Sequence, residues 1–156
     1  NIGLGLRPEA RHRLKPLLES LHKKLADEGR VGREIICTTG GPIPVGGPVQ
    51  PLGLLGETAV LLAGDAAGLT NPVTGAGISS AVQSGALAGT AAAEWLGGDE
   101  AALQDYADEL EDLFGASLRR ALKRRRGVLA AYQGGGKPGP ADLRHGWVGY
   151  PEYWAA

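Results

Sequence analysis

The pattern of hydrophobic and polar positions predicts three helices joined by loops rich in glycine and proline. Apolar residues recur at helical spacing between Pro8 and Glu28, with Arg, Lys and Glu between them, and Gly29 ends the run. The same spacing predicts a helix from about Gly75 to Trp95 and a longer one from about Glu100 to Tyr132. Acidic residues fill the first half of that last helix and basic residues the second, an order that suits the helix dipole.

Short apolar runs predict strands. We expect short strands at Asn1–Leu6 and Arg33–Thr38, and a buried parallel strand at Ala59–Ala63, which ends on Gly64-Asp65. The segment Gly40–Pro48 contains too many glycines and prolines for a helix or a central strand. We expect it to form a rigid, extended loop.

Composition indicates a globular protein. The chain has 156 residues, 43% apolar and 21% charged, and a formal net charge of -1. This balance creates no general field that would recruit nucleic acid or an anionic membrane. No apolar span approaches the 20 residues of a transmembrane helix. Because Cys37 is the only cysteine, no disulfide can form within the chain; we expect a buried, inert thiol and a cytoplasmic location.

Two charged or aromatic segments have alternative interpretations. The basic run between Arg119 and Arg126 indicates a solvated helix end, with a nucleic-acid patch as the alternative. The tail from Gly134 ends in four aromatic residues, which we expect to dock onto the domain. Their alternatives are a lining for a hydrophobic channel and peripheral contact with a membrane. These four are Trp147, Tyr150, Tyr153 and Trp154.

One segment carries the candidate chemistry. Asp65 follows the predicted strand, where open α/β sheets bind ligands, and Ala66, Ala67 and Gly68 leave room for a ligand against the backbone. We expect the Asp65 carboxylate to accept hydrogen bonds from a polyol or from loop amides. The alternative is a βα unit with a tight glycine turn and an aspartate that caps the helix. A phosphate loop is disfavoured because no Gly-Lys-Ser/Thr follows.

The helix predicted to open at Gly75-Ala76-Gly77 supplies the second half of the candidate site. Its first-turn amides have no partners inside the helix and favour negative charge in front of them. Pro72 is expected to stiffen the preceding loop. Further along, a stripe of small residues predicts close packing against a neighbouring sheet or helix, since interior glycines destabilise a helix. The stripe is Ala81, Gly85, Ala88, Gly89 and Ala92.

These residues resemble the C-terminal FAD motif of the geranylgeranyl reductase family, flavoproteins of the para-hydroxybenzoate hydroxylase superfamily. The similarity lies in Gly64–Gly68, Asn71-Pro72, Gly75–Ile78 and Ser84-Gly85. The upstream stretch Gly41–Gly47 is similar to an Ile-Pro-x-Gly-Gly segment of the reductases and favours them over aromatic hydroxylases. The resemblance extends over about residues 1–130 and is sharp at 41–92.

The resemblance implies a set of cofactor-binding residues. Asp65 would hold the ribityl hydroxyls of FAD, and the backbone of Gly77 and Ile78 would contact the pyrimidine edge of the isoalloxazine ring. Many members of that family carry an acidic residue where this chain has Ala76, so this chain lacks that acid. The full predicted set is Gly64, Asp65, Pro72, Gly75, Ala76, Gly77 and Ile78. No side chain stands out as a catalytic proton donor, and no metal is expected.

The family resemblance also implies a fold and a function. We expect an α/β architecture, the C-terminal part of a Rossmann-like FAD/NAD(P)-binding flavoprotein, with long helices and part of a substrate-domain sheet. Residues 1–57 would end the substrate domain, 58–133 would belong to the FAD-binding domain, and 134–156 would form the aromatic tail. A missing segment before Asn1 would carry the rest of the FAD site, since no Gly-x-Gly-x-x-Gly turn for the ADP half is present.

The implied activity is reduction of isoprenoid double bonds by reduced FAD, with NAD(P)H or another reductant as electron donor and a hydrophobic small molecule as substrate. A monooxygenase or halogenase of the same superfamily is the first alternative. A non-catalytic fragment or interaction domain is the second. We expect the 156-residue chain alone to be inactive and to bind FAD weakly or not at all.

Overall fold

The computed structural model describes residues 1–133 and 136–155, which form two compact units. The first unit comprises Asn1–Gly41 and the second Pro42–Ala156. The Gly/Pro-rich loop that follows residue 41 therefore belongs to the second unit, together with the candidate site. The functional division predicted at residue 57 stays a prediction.

The first unit is built on one amphipathic helix, as the sequence predicts. A 3₁₀ turn at Pro8–Arg13 leads into helix α1, Leu14–Asp27, and Gly29 follows in a left-handed conformation (φ 69°). The predicted strand at residues 1–6 is wrong, and so is the one at residues 33–38. A strand is stabilised by ladder hydrogen bonds, and neither segment pairs with another described segment.

The prediction for Cys37 is also wrong, since the thiol is exposed. It follows Ile35 and Ile36, of which Ile36 is 94% exposed. The burial that we expected depended on a strand at residues 33–38 that packs into a sheet. Without that strand, no described element covers these side chains.

The second unit begins its regular structure with a β-hairpin. Strands β1, Leu52–Leu55, and β2, Thr58–Leu61, pair antiparallel, with Leu55 opposite Thr58. The buried parallel strand predicted at residues 59–63 is therefore wrong, because β2 is antiparallel and is not fully buried. The two-residue turn between the strands starts with Gly56 at φ 64°, the conformation that a tight hairpin turn requires.

Helix α2, Ile78–Leu96, ends where the sequence predicts, at Gly97 and the left-handed Gly98. The predicted packing of its small-residue stripe holds in part, since Ala88 contacts the core and Ala81 lies close against Gly64. Within the described chain, a Cβ added at Gly85 or Gly89 would meet no atom within 4 Å. The glycine face of α2 is therefore open, and close packing does not offset the destabilising effect of its glycines.

The last long helix is continuous but not uniform. It consists of α3, Ala102–Leu110, a π-helical turn at Glu111–Gly115, and α4, Ala116–Gln133. Tyr106 is 3% exposed and donates a hydrogen bond of 2.6 Å to the carbonyl oxygen of Leu62, which ties α3 to the segment that follows β2. Burial raises the pKa of its phenol. Tyr106 belongs to the buried core, which comprises Ala67, Leu69, Ala91, Tyr106, Leu110 and Leu118.

The aromatic tail docks onto α4 through Tyr153, as predicted. Helix α5, Pro140–Gly146, packs against α4, helix α6, Pro151–Trp154, packs against α5, and Tyr153 is 2% exposed. Arg124 donates to the carbonyl oxygens of Tyr153 and Ala155. The basic run is therefore only partly a solvated helix end. The predicted start of the tail at Gly134-Gly135 lies outside the described residues.

The architecture is thus a mixed one of helices and sheet, dominated by helices and containing a two-stranded sheet among the described residues. This is compatible with the predicted α/β class. No helix in residues 1–133 or 136–155 combines the length and apolar character needed to cross a membrane.

Candidate functional site

Asp65 lies in a 3₁₀ turn, Gly64–Ala67, that follows β2 after two residues. Its side chain is exposed, whereas Gly64 before it and Ala67 after it are buried. Thr70, which is 1% exposed, donates its hydroxyl hydrogen bond to Asp65 Oδ1. The turn therefore presents a carboxylate at the surface and anchors it from below.

Two glycines shape this turn. Gly64 has φ 55°, and its N–H donates to Ser84 Oγ on α2 at 2.9 Å. Gly68 has φ 70° and lies against the backbone of Gly47, beside a hydrogen bond of 3.2 Å from the Val49 N–H to the Ala67 carbonyl oxygen. The Gly/Pro-rich loop therefore runs directly over the motif. The two motif-like segments of the sequence meet at this contact.

The loop between the turn and α2 is organised by Asn71. Its side-chain oxygen accepts the N–H groups of Val73 at 2.9 Å and Thr74 at 3.0 Å. Its backbone N–H donates to the Ala76 carbonyl oxygen at 2.8 Å, and its own carbonyl oxygen accepts from the Gly75 N–H at 2.9 Å. These four hydrogen bonds close the loop on itself.

The predicted start of α2 at Gly75 is wrong. The helix begins at Ile78 with Gly77 as its N-cap, because Gly75 has φ 73°, which a right-handed helix does not accept. The N–H groups of Gly75 and Ala76 are bonded within the loop, to Asn71 and Thr74. The first-turn amides without helical partners are therefore those of Ile78 to Ser80.

Asp65 and the start of α2 face the same open groove, with a volume of about 490 Å³. Five of the seven predicted cofactor residues line it: Gly64, Asp65, Gly75, Gly77 and Ile78. Small or aliphatic side chains complete the lining: Ile43, Ala63, Ala66 and Ala81. The volume lies within the range of small-molecule sites, and an apolar wall with one charged group is typical of them.

The part of the groove beside Asp65 is formed by backbone without bulky side chains. A Cβ at Gly77 would lie 3.0 Å from Asp65 Oδ1 and 3.2 Å from Thr70 Oγ1, so a larger residue here would force the carboxylate or the hydroxyl to shift. Among the described residues, Thr70 gives the Asp65 carboxylate its one hydrogen bond. The other oxygen, Oδ2, is free to accept hydrogen bonds from a bound ligand.

The other two predicted cofactor residues do not line the groove. Pro72 is fully buried, so its ring supports the loop from behind, and its carbonyl oxygen accepts a hydrogen bond of 2.9 Å from Arg125 on α4. Ala76 is exposed but lies outside the groove lining. Sequence reasoning also missed Thr70 as the partner of Asp65 and Asn71 as the organiser of the loop. Asn before Pro is a turn signal that pointed to Asn71, whereas no sequence signal paired Thr70 with Asp65.

Replacing Asn71 with alanine is expected to destabilise the second unit by about 1–3 kcal/mol, because two backbone N–H groups lose their acceptor. Asn71→Asp is the matched control, since it keeps a side-chain oxygen at the same position; we expect a change below about 0.5 kcal/mol. Urea unfolding followed by tryptophan fluorescence measures both, because Trp95, Trp147 and Trp154 all lie in this unit. Equal losses in the two variants would contradict the role of the side-chain oxygen.

Of three comparisons with known proteins, one finds relatives of this chain. No family model and no solved structure matches it. Curated archaeal proteins do match. Digeranylgeranylglycerophospholipid reductase 2 of Methanopyrus kandleri is 35% identical over 131 residues, covering 79% of this chain and 32% of the relative. The digeranylgeranylglycerophospholipid reductase of Methanocella arvoryzae is 34% identical over 126 residues, covering 79% and 31%.

A third relative, digeranylgeranylglycerophospholipid reductase 2 of Methanothermobacter thermautotrophicus, is 33% identical over 129 residues and covers 81% of this chain and 32% of the relative. The chain therefore spans about a third of the length of the curated relatives it matches. The matches cover most of the chain at similar identity. Together with the motif at Gly64–Ile78, they show that this chain is similar to a segment of the geranylgeranyl reductases.

Proposed function

We propose that this chain is the C-terminal part of an FAD-dependent oxidoreductase that reduces the double bonds of isoprenoid chains. The observation that carries the proposal is the groove in which Asp65 meets the first turn of α2. The names of the relatives, which describe reductases of a geranylgeranyl lipid, support the reaction class and a hydrophobic isoprenoid substrate. NAD(P)H or another reductant would supply the electrons.

The residues of this chain would hold the middle of the cofactor. Asp65 Oδ2 would accept hydrogen bonds from the ribityl hydroxyls, and the backbone of Gly77 and Ile78 would lie along the pyrimidine edge of the ring, with Gly75 and Gly64 beside it. The unpartnered first-turn amides of α2 would stabilise negative charge on that edge. When bound and reduced, FAD would supply the hydride that saturates the substrate double bond.

The rest of the flavin site would come from a segment outside this chain. We propose that the longer protein, called the full-length protein below, folds as a Rossmann-like flavoprotein whose other part holds the ADP half of FAD. The relatives, of which this chain covers about a third, leave room for such a segment. The open glycine face of α2 and the exposed Ile78 and Val82, which are 86% and 69% exposed, offer it a surface.

Anaerobic turnover of the full-length protein tests the proposed function. With reduced flavin and a geranylgeranyl lipid, we expect saturated double bonds in the product, detected as a mass gain of two hydrogens for each bond. Oxygen consumption coupled to NAD(P)H oxidation, with no saturation under anaerobic conditions, would instead indicate a monooxygenase or halogenase. For the 156-residue chain alone we expect weak or undetectable FAD binding, and micromolar affinity would contradict the need for a second segment.

We also propose peripheral membrane contact through the exposed side of the tail, for a protein located in the cytoplasm. Trp147 and Trp154 are 50% and 57% exposed, and Arg120 stacks over the Trp154 ring at 5.3 Å. Aromatic rings beside basic side chains suit the interface of an anionic bilayer. Co-sedimentation with anionic vesicles but not with neutral ones is the expected result. Binding to neither would contradict this contact, and equal binding to both would contradict the role of the basic side chains in it.

A further inference from the structure

Thr70 differs from the other residues around the groove because it is buried but acts on an exposed group. Its side chain is 1% exposed and lies below the surface that Asp65 forms. Its hydroxyl donates a hydrogen bond to Asp65 Oδ1 across five residues of the chain. A buried hydroxyl needs a hydrogen-bond partner, and here that partner is the carboxylate itself.

The hydrogen bond restricts an otherwise mobile side chain. An exposed aspartate samples several rotamers, and a ligand that requires one of them must first select it. A charge-assisted hydrogen bond from a buried, rigid donor favours one orientation before the ligand arrives. The bond occupies Oδ1 and leaves Oδ2 for the groove.

Gly77, the N-cap of α2, also lies close to the Asp65 carboxylate. A Cβ at this position would lie 3.0 Å from Asp65 Oδ1 and 3.2 Å from Thr70 Oγ1. The hydroxyl, the carboxylate oxygen and the N-cap of α2 therefore pack together at one point. The Asp65 carboxylate is therefore held close to the first turn of α2.

We propose that Thr70 is a positioning residue for the cofactor, which acts through Asp65 and not by touching the ligand. This role of Thr70 rests on the proposed function, because the orientation of the Asp65 carboxylate matters only if Asp65 accepts hydrogen bonds from hydroxyl groups of a bound flavin. Thr70 is not among the residues that line the groove, so its effect on binding must pass through the carboxylate. A purely structural threonine would contribute to folding and leave the affinity for the flavin unchanged.

The test measures FAD dissociation constants for the full-length protein by flavin fluorescence, after removal of bound flavin. Thr70→Val removes the hydroxyl with little change in shape, and we expect about a five- to twentyfold weaker affinity, less than the loss expected for Asp65→Ala, because the carboxylate stays in place but loses its fixed orientation. Thr70→Ser keeps the hydroxyl and is expected to stay within about twofold of the wild type. Thr90→Val, on the exposed side of α2, is the control for the same substitution elsewhere.

A double-mutant cycle identifies the route of the effect. In an Asp65→Ala background, Thr70→Val should cause no further loss of affinity, because the carboxylate it positions is gone. Equal losses in both backgrounds, or an unchanged affinity for Thr70→Val beside a weakened Asp65→Ala, would overturn the positioning role while leaving the proposed function intact. An unchanged affinity for Asp65→Ala would overturn the assignment of Asp65 and the role of Thr70 with it. Thermal unfolding of the flavin-free variants checks their folding, and Thr70→Ala replaces Thr70→Val if the valine variant does not fold.

Discussion

Replacing Gly68 with alanine is expected to destabilise the second unit by about 2–5 kcal/mol. Gly68 has φ 70°, and a non-glycine residue in the left-handed region costs about 1–2 kcal/mol. The added Cβ would also overlap the carbonyl oxygen of Gly47 and lie 2.9 Å from its carbonyl carbon. Because the obstacle is backbone, the Gly/Pro-rich loop must move away from the motif, at a further cost of about 1–3 kcal/mol.

Gly85→Ala is the matched control for this substitution. Gly85 lies inside α2, has no atom within 4 Å of an added Cβ, and has no positive φ. We expect alanine to stabilise this chain by about 0.5–1 kcal/mol, through the usual gain in helix propensity. Urea unfolding with tryptophan fluorescence measures both variants. A loss below about 1 kcal/mol for Gly68→Ala would contradict the packing of the loop on the motif.

Replacing Asp65 with alanine in the full-length protein is expected to weaken FAD binding by about 10- to 100-fold, because hydrogen bonds to a charged group contribute about 1.5–3 kcal/mol. Asp65 is exposed, but its removal leaves the buried Thr70 hydroxyl without its acceptor, so we expect a stability loss of about 1–3 kcal/mol, which thermal unfolding of the flavin-free variant measures. Flavin retained after purification and the FAD dissociation constant measure the effect. Asp65→Asn, which keeps one acceptor oxygen, should lose less affinity than Asp65→Ala. Unchanged flavin content in the alanine variant would refute the assignment of Asp65 to the ribityl chain.

Helices were predictable from the sequence because their signals are local. The spacing of leucines in α1, the glycines after α2 and the charge order of the last helix each depend on neighbours within a few residues. The strands were not predictable in the same way. Residues 1–6 and 33–38 are apolar enough for strands, but a strand requires a partner, and the pattern of one segment does not reveal whether a partner exists. The π-helical turn at Glu111–Gly115 also had no signal in the periodicity.

The candidate site was also predictable only in part, where its features depend on neighbouring residues of the sequence. The motif indicated that Asp65 and the start of α2 belong together, and the structure places them along one groove. The exact start of the helix depended on the backbone angle of Gly75, which the sequence permits but does not specify. The hydrogen bond from Thr70 to Asp65 and the tie from Arg125 to Pro72 arise from tertiary packing, and the latter joins residues 53 positions apart.

Amide hydrogen exchange in the full-length protein, with and without FAD, tests the central claim most directly. The first-turn amides of α2 at Ile78–Ser80 have no helical acceptors, so they should exchange fast without flavin and slowly when the flavin edge lies in front of them. The account predicts slower exchange at residues 64–66 and 77–80 on FAD binding, and little change in α3. Protection that appears elsewhere in the protein, with both of these segments unaffected by saturating FAD, would contradict it.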